Sequence, residues 1–99
     1  MIYVMNSGSI KRGGEEFHQA VLALNQHASE LCPDATYGIL RGLDGVLNRI
    51  CLTVLCDSFA AWQKQNEICN QDAKFVELAM PVVDGIDGTL ERHFYEVVK

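Results

Sequence analysis

The stretch Tyr37–Trp62, YGILRGLDGVLNRICLTVLCDSFAAW, decides the fold of this 99-residue chain. Two apolar runs flank Asp44-Gly45, and the second run leads into Asp57-Ser58. Asp-Gly between apolar runs predicts a two-residue β-hairpin turn, because both central residues of a type I′ turn need a positive φ. Asp57-Ser58 predicts a helix N-cap. The stretch is therefore a strand, a tight turn, a longer strand and the start of a helix.

A two-residue turn determines which hairpin residues face each other. Arg41 then opposes Asn48, and Tyr37 opposes Leu52. Opposed residues share a face of the sheet. A bulge or a four-residue loop is the alternative, and it would exchange one set of side chains. The predicted core face carries Tyr37, Ile39, Arg41, Asn48, Ile50, Leu52 and Val54, and the other face has Leu40, Cys51 and Leu55 as its apolar residues.

The segments outside the hairpin alternate between strand and helix patterns. Apolar residues at spacings of three and four indicate helices, and short apolar or alternating runs indicate strands. Asn6 ends the first strand, and Pro33 stops the first helix. In chain order the predicted segments are a strand at 2–5, a helix at 15–31, a helix at 59–70, a second helix that begins after Asp72, and a strand at 89–98.

This order of elements is the split β-α-β order of ferredoxin-like folds. We expect an α+β fold, β-α-β-β-α(α)-β, with a four-stranded antiparallel sheet and helices on one face. It spans residues 1–99 as a single domain. Because helices cover only one face, Leu40, Cys51 and Leu55 would lie exposed in a monomer. Several exposed aliphatic side chains favour association, so we predict a homodimer through the open face.

Composition limits the partners. The net charge is −5, and the pI is about 5.0. Nucleic acids and anionic membranes select basic patches, so neither is an expected partner. No apolar run approaches the roughly 20 residues that span a bilayer, and the first residues lack the layout of a signal peptide. We therefore expect a cytoplasmic protein.

The four cysteines form no CxxC pair. Cys51 and Cys56 lie five apart on one predicted strand, so they point to opposite faces and cannot share a metal ion. Buried free thiols are the ordinary state of such residues in a reducing compartment. We expect no metal, no disulfide framework and no cofactor.

Several segments spread over nearly the whole chain carry a resemblance to a known superfamily. They are GGEEFHQAV (13–21), CPDATYGILRGLDG (32–45), LCDSFAAW (55–62), DAKF (72–75) and FYEVV (94–98). With these segments the chain resembles the dimeric α/β-barrel superfamily, in particular its NIPSNAP-like and antibiotic-biosynthesis-monooxygenase-like branches. The resemblance implies a ferredoxin-like protomer, an obligate dimer, and a pocket between sheet and helices.

The resemblance also implies activities. Members of this superfamily include cofactor-free monooxygenases that act on aromatic polyketides, and heme-degrading enzymes. Asn6 and Trp62 stand where the heme-degrading branch has an Asn and a Trp, but residues 73–80 lack the iron-ligating His of that branch, so we expect no heme binding. The monooxygenase branch surrounds a phenolic substrate with Asn, Trp, Tyr and Arg or His. The resulting candidates are Arg41 and His93 as catalytic residues, and Asn6, Tyr37, Asn48 and Trp62 as substrate-binding residues.

The predicted register places two polar residues, Arg41 and Asn48, on the core face. A buried charge needs a partner. A ligand phenolate or carboxylate is one such partner, and solvation near the hairpin end is the alternative. The function that we predict is a cofactor-independent monooxygenase-like enzyme for a small apolar or aromatic substrate. The alternative is a non-catalytic dimeric domain that binds a small molecule or a protein, since no nucleophile elbow, metal cluster or cofactor motif occurs.

Overall fold

The computed structural model describes residues 1–11, 14–43 and 48–98. The strands in this part of the chain form one antiparallel sheet in the order β2-β3-β1-β4. The α+β, ferredoxin-like arrangement that the element order predicts is confirmed. The elements are β1 (Ile2–Ile10), α1 (Gly14–Leu31), β2 (Thr36–Arg41), β3 (Arg49–Cys56), α2 (Phe59–Gln71), α3 (Ala73–Asp84) and β4 (Ile86–Glu96).

The predicted hairpin register is wrong by two residues. Arg41 opposes Ile50 rather than Asn48, and Tyr37 opposes Val54. The ladder ends where the Gly42 N–H donates to the Arg49 carbonyl at 2.9 Å, so the connection is longer than a two-residue turn. The proposed turn at 44–45 lies outside the described residues. Because side chains alternate with a period of two, a shift of two residues leaves every strand residue on its predicted face.

β1 is longer than its apolar residues indicate. The prediction ends the strand at Asn6, but the strand continues to Ile10. β1 lies between β3 and β4, so both of its edges have a hydrogen-bonded partner. Backbone pairing of this kind does not depend on the side chain, and it outweighs the weak strand preference of Ser and Gly. β4 likewise starts at Ile86 instead of Thr89, and its pairing with β1 is irregular between Ser7 and Ser9.

The helices cover the face of the sheet that carries the predicted apolar set. Val4 on β1 and Val21 on α1 are fully buried. Phe17, Val21 and Ala28 are the buried residues of α1, and their spacing places them on one face of the helix, as expected for the amphipathic helix predicted at 15–31. Ser58 and Asp72 cap α2 and α3 by accepting hydrogen bonds from Ala61 N and Phe75 N, as their positions predict.

The opposite face of the sheet is open in the single chain. Leu40 is 53% exposed and Tyr95 is 52% exposed, while Cys51 and Leu55 are partly exposed. The expected exposure of this apolar face is therefore confirmed. Cys56, in contrast, is buried on the helix-covered face, so Cys51 and Cys56 point to opposite faces as predicted. No helix in the described ranges has the length and apolar character needed to cross a membrane.

Candidate functional site

Two polar side chains meet on the helix-covered face of the sheet, on its two neighbouring strands β1 and β4. The register places Asn6 directly opposite Arg92. Arg92 Nε donates to Asn6 Oδ1 at 2.8 Å, and Asn6 Nδ2 lies 3.5 Å from the Leu52 carbonyl. The contact with the Leu52 carbonyl orients the Asn6 amide group, and this amide group holds the Arg92 guanidinium in place.

Trp62 covers this pair from the helix side. The Ser58 cap starts α2, and the first turn of the helix brings Trp62 down onto the sheet, where it is 8% exposed. The Arg92 guanidinium lies 5.2 Å from the centroid of the indole ring, which is within the range of a cation–π interaction. Phe94 meets the same indole edge-on, with centroids 4.9 Å apart. We call these three residues, together with Asn6 and Phe59, the arginine–tryptophan site.

The arginine–tryptophan site combines an exposed cation with an aromatic wall. Arg92 forms no ion pair with any residue that the structure describes. Its only described side-chain hydrogen bond uses Nε, and a guanidinium has four further N–H donors on its two terminal nitrogens. Phe59 and Phe94 pack against each other at 5.2 Å and are both exposed. The site is thus suited to a planar apolar group that carries a negative charge.

Arg41 and Asn48 lie together at the other end of the sheet, although not as a cross-strand pair. Both line a cleft of about 860 Å³ between the start of α1 and the hairpin, together with His18 and Glu15. Asn48 has a positive φ of 64°, a conformation that Asn tolerates better than most residues. We call this space the hairpin cleft. The structure therefore brings Arg41 and Asn48 together, but apart from Asn6 and Trp62.

Tyr37 points into the interior and makes hydrogen bonds there. Its hydroxyl donates to Gln65 Oε1 at 2.6 Å and lies 3.9 Å from the Cys69 thiol. Burial raises the pKa of the Tyr37 phenol well above its usual value, and the nearby Cys69 and Cys32 raise this pKa further. Tyr37 is therefore a neutral hydrogen-bond donor at physiological pH, and its ring packs against the cluster that contains Trp62.

His93 lies on the open face of the sheet. It opposes Met5 in the β1–β4 register, and its Nε2 is 2.9 Å from Glu91 Oε1. Arg41 and His93, the two predicted catalytic residues, are consequently on opposite faces of the sheet and do not form a common site within one chain. Their catalytic roles stay predictions. No group of His, Cys, Asp and Glu side chains among the described residues is arranged to hold a metal ion.

Arg92 belongs to the site but was not among the residues predicted from the sequence. Its signal was present in the last strand, where Leu90, Arg92 and Phe94 alternate onto one face. An arginine between two apolar residues marks a polar position on an otherwise apolar face, and Arg92 lies at the exposed border of that face. The strand pattern alone, however, did not show which of the two faces of β4 meets the helices.

The fold defines the class of protein: a ferredoxin-like protomer with an antiparallel sheet that helices cover on one face. Solved structures with this fold are similar over nearly the whole chain. A NIPSNAP domain protein of uncharacterised role from Burkholderia xenovorans aligns with a TM-score of 0.81 at 18% identity, covering 99% of this chain and 95% of that one. A protein assigned to the antibiotic biosynthesis monooxygenases from Nitrosomonas europaea aligns with a TM-score of 0.77 at 17% identity and full coverage of both chains.

A third similar structure has a stated activity. SnoaB, a cofactor-independent oxygenase from Streptomyces nogalater, aligns with a TM-score of 0.76 at 13% identity, covering 99% of this chain and 93% of that one. No protein-family model and no curated protein matches the sequence. The predicted resemblance to NIPSNAP-like and monooxygenase-like proteins is confirmed for the fold, since identities this low are evidence of shared architecture only.

Proposed function

We propose that the chain is a cofactor-independent, monooxygenase-like enzyme whose substrate is a small aromatic compound with an acidic group. The observation that carries this proposal is the geometry of Arg92, held by Asn6 at 2.8 Å and stacked 5.2 Å from the Trp62 ring centre, with no described ion-pair partner. The likeness of the fold to that of a cofactor-independent oxygenase supports the reaction class.

The substrate chemistry follows from the donors that the site offers. A guanidinium presents parallel N–H donors to a carboxylate, or a single donor to a phenolate or enolate oxygen. Trp62, Phe59 and Phe94 supply apolar contacts for a flat ring. A cation close to the substrate oxygen stabilises the deprotonated form and lowers the substrate pKa. The proposed role of Arg92 is to hold the substrate as an anion.

The proposed reaction needs no group beyond the substrate anion and O₂. The electron-rich carbon of the anion transfers an electron pair to O₂, which gives a peroxide on that carbon. The proton that a CH₂ group of the substrate lost on forming the anion returns to this peroxide. Loss of water then converts that CH₂ group to a carbonyl, so that CH₂ and O₂ become C=O and H₂O. The protein contributes by binding the anion against the aromatic side chains, which removes water from one face of it. Asn6 acts as a positioning residue, because it contacts Arg92 directly.

The hairpin cleft is the competing location for the substrate, because Arg41 and Asn48 line it. Substituting Arg92 and Arg41 in turn distinguishes the two locations. Trp62 is the only tryptophan, so all of the indole fluorescence comes from this site, and a planar phenol or anthrone that binds against Trp62 should quench it. We expect Arg92→Gln to raise the Kd of such a ligand roughly ten- to hundredfold, the loss expected for a charge-assisted hydrogen bond. Arg41→Gln is the matched control and should leave Kd within a factor of two.

Oxygen uptake with the same compounds separates catalysis from binding. Consumption of one O₂ per substrate, lost in Arg92→Gln and kept in Arg41→Gln, is the result we expect. Binding without oxygen uptake over a panel of quinols, flavonoids and anthrones would favour the alternative, a non-catalytic small-molecule binding domain. A loss of binding in Arg41→Gln alone would move the substrate to the hairpin cleft and contradict the role of Arg92.

We also propose that two chains associate through the open faces of their sheets, in a cytoplasmic protein. Tyr3, Leu40 and Tyr95 are exposed apolar or aromatic residues on that face, and partly exposed Leu55 adds to them. Burying such side chains between two copies stabilises the dimer by roughly 25 cal/mol for each Å² of apolar surface. His93 lies on the same face, so in this dimer it belongs to the interface.

A further inference from the structure

Three buried thiols outside the arginine–tryptophan site lie near α2. Cys32 directly follows α1, Cys69 lies near the end of α2, and Cys56 ends β3. None of the three has a role in the proposed oxygenation. Cys32 and Cys69 belong to one packing cluster with Ala28, whereas Cys56 packs in a separate cluster with Trp62.

Gln65 brings Cys32 and Cys69 together. The Cys32 thiol donates to the Gln65 carbonyl oxygen at 4.0 Å, and the Cys69 thiol donates to Gln65 Oε1 at 3.9 Å. Gln65 and Cys69 are one helical turn apart, so they lie on the same side of α2. The Cys32 side chain from the end of α1 therefore meets the side of α2 that carries Cys69.

The two thiols differ in their access to solvent. Cys32 lines a cleft of about 330 Å³ between the end of α1 and α2, together with Ala61, Lys64 and Ile68. Cys69 is 3% exposed and does not line this cleft. Burial raises the pKa of Cys69 to about 11, which keeps it protonated and unreactive toward external reagents. Cys56 lines the same cleft but is only 3% exposed, whereas Cys32 is 7% exposed, so a small reagent in the cleft reaches Cys32 more readily than the other two thiols.

We infer that Cys32 and Cys69 form a reversible disulfide when the protein encounters a peroxide, tying the end of α1 to α2. The Cys32 thiolate attacks one oxygen of the peroxide; an S–O bond forms, the O–O bond breaks, and the departing hydroxide takes a proton to become water. Cys69 then attacks the Cys32 sulfur; an S–S bond forms, the S–O bond breaks, and a second water leaves. Two thiols and one H₂O₂ thus give one disulfide and two waters.

Such a bond acts on the interior network that positions α2. Tyr37 contacts both Gln65 and Cys69, so a disulfide at Cys69 replaces one of the hydrogen-bond contacts of the Tyr37 hydroxyl. The cross-link also restricts the unfolded chain. We therefore expect the oxidised protein to have a higher Tm than the reduced protein, and we expect dithiothreitol to reverse the shift.

The experiment treats the folded, full-length protein with H₂O₂, blocks the remaining thiols in denaturant, and counts them. We expect the count to fall from four, the number of cysteines in the chain, to two. A non-reducing digest should contain one cross-linked peptide pair that joins Cys32 to Cys69. This mapping uses the wild-type chain, so it does not depend on the folding of any variant.

Three substitutions to serine complete the test. Cys69→Ser should abolish the cross-link and leave Cys32 as a sulfenic acid that dimedone traps, while Cys51→Ser and Cys56→Ser should keep the cross-link. Four unreacted thiols after treatment would overturn the inference. A cross-link between Cys32 and Cys56, or oxidation of Cys32 to a sulfinic acid with Cys69 present, would overturn it equally.

Discussion

Single residues explain how the interior of this small protein accommodates a buried polar side chain. Gln65 is buried, yet its amide group has partners on every side: Tyr37 Oη and the Cys69 thiol donate to Oε1, and Nε2 donates to the Trp62 carbonyl at 3.0 Å. No buried side-chain nitrogen or oxygen in the described ranges lacks a hydrogen-bond partner. A buried polar group is tolerated when its hydrogen bonds are made, and Tyr37 makes the shortest of these.

Removing the Tyr37 hydroxyl tests this network. Tyr37→Phe keeps the ring and leaves Gln65 Oε1 with only the weak thiol donor, so we expect the free energy of unfolding to fall by about 1–2 kcal/mol. Urea denaturation followed by Trp62 fluorescence measures the change. Tyr95→Phe is the matched control, because it removes the same hydroxyl from a ring that is exposed in the single chain. Measured at a protein concentration at which the chain is monomeric, it should change the stability by less than about 0.5 kcal/mol. Equal effects of the two substitutions would argue against a network centred on Gln65.

At the scale of elements, one carboxylate joins three helices. Asp72 lies between α2 and α3, and its Oδ2 accepts hydrogen bonds from Phe75 N at 2.9 Å and from His27 Nε2 of α1 at 2.7 Å. The His27 hydrogen bond holds the pKa of the Asp72 carboxyl below its usual value, and the Phe75 N–H lowers this pKa further. The cap predicted from the sequence is thus also a contact between helices.

The stability should depend on pH through this carboxylate. A folded-state pKa below the unfolded value means that the ionised form is favoured by folding, so the contribution is present above the ordinary pKa of 3.8 and is lost as pH falls through the folded value. We expect Asp72→Asn to lower the urea midpoint at pH 6, and to lower it less at pH 3. Asp84→Asn, at the exposed end of α3, is the control. A pH-independent difference between wild type and Asp72→Asn would contradict this account.

The bounds of some helices and strands depend on the local sequence, whereas the bounds of others depend on distant segments of the chain. The bounds of α1 and α2, and both helix caps, agree with the sequence patterns to within one or two residues, because a helix satisfies its hydrogen bonds within its own segment. The predicted length of β1 is wrong, because Ser7, Gly8 and Ser9 carry no strand pattern. Their extended conformation comes from the strands on both sides, which a pattern within one segment does not report.

At the scale of the whole molecule, the open face of the sheet is the largest feature that a single chain leaves unexplained. Leu40 on β2 is among its most exposed apolar residues, and the proposed homodimer buries it. We expect the native protein to sediment with twice the 11.0 kDa mass of one chain. Because a charge at an apolar interface must be desolvated, Leu40→Glu should shift the population to monomer at micromolar concentration while circular dichroism stays unchanged.

A matched substitution on another surface tests whether the effect of Leu40→Glu is specific to the open face of the sheet. Leu22 is 43% exposed on the outer side of α1, away from the sheet, so Leu22→Glu introduces the same charge at a similar exposure without touching the proposed interface. We expect this variant to remain dimeric. A monomeric wild-type protein, or equal dissociation by both substitutions, would rule out association through the open face.

The sequence by itself determined the helices, their caps, and the face of the sheet to which each hairpin residue points. These properties repeat along the chain with periods of 3.6 and two residues, so a short window contains them, and the face assignment survived a register error because that error was an even number of residues. The tertiary structure alone decided the site. Arg92 and Asn6 are 86 positions apart and meet only through the β1–β4 register, and Trp62 reaches them only because α2 packs on that face. Contacts between distant segments depend on how strands pair and helices dock, and no periodicity within a segment records that pairing.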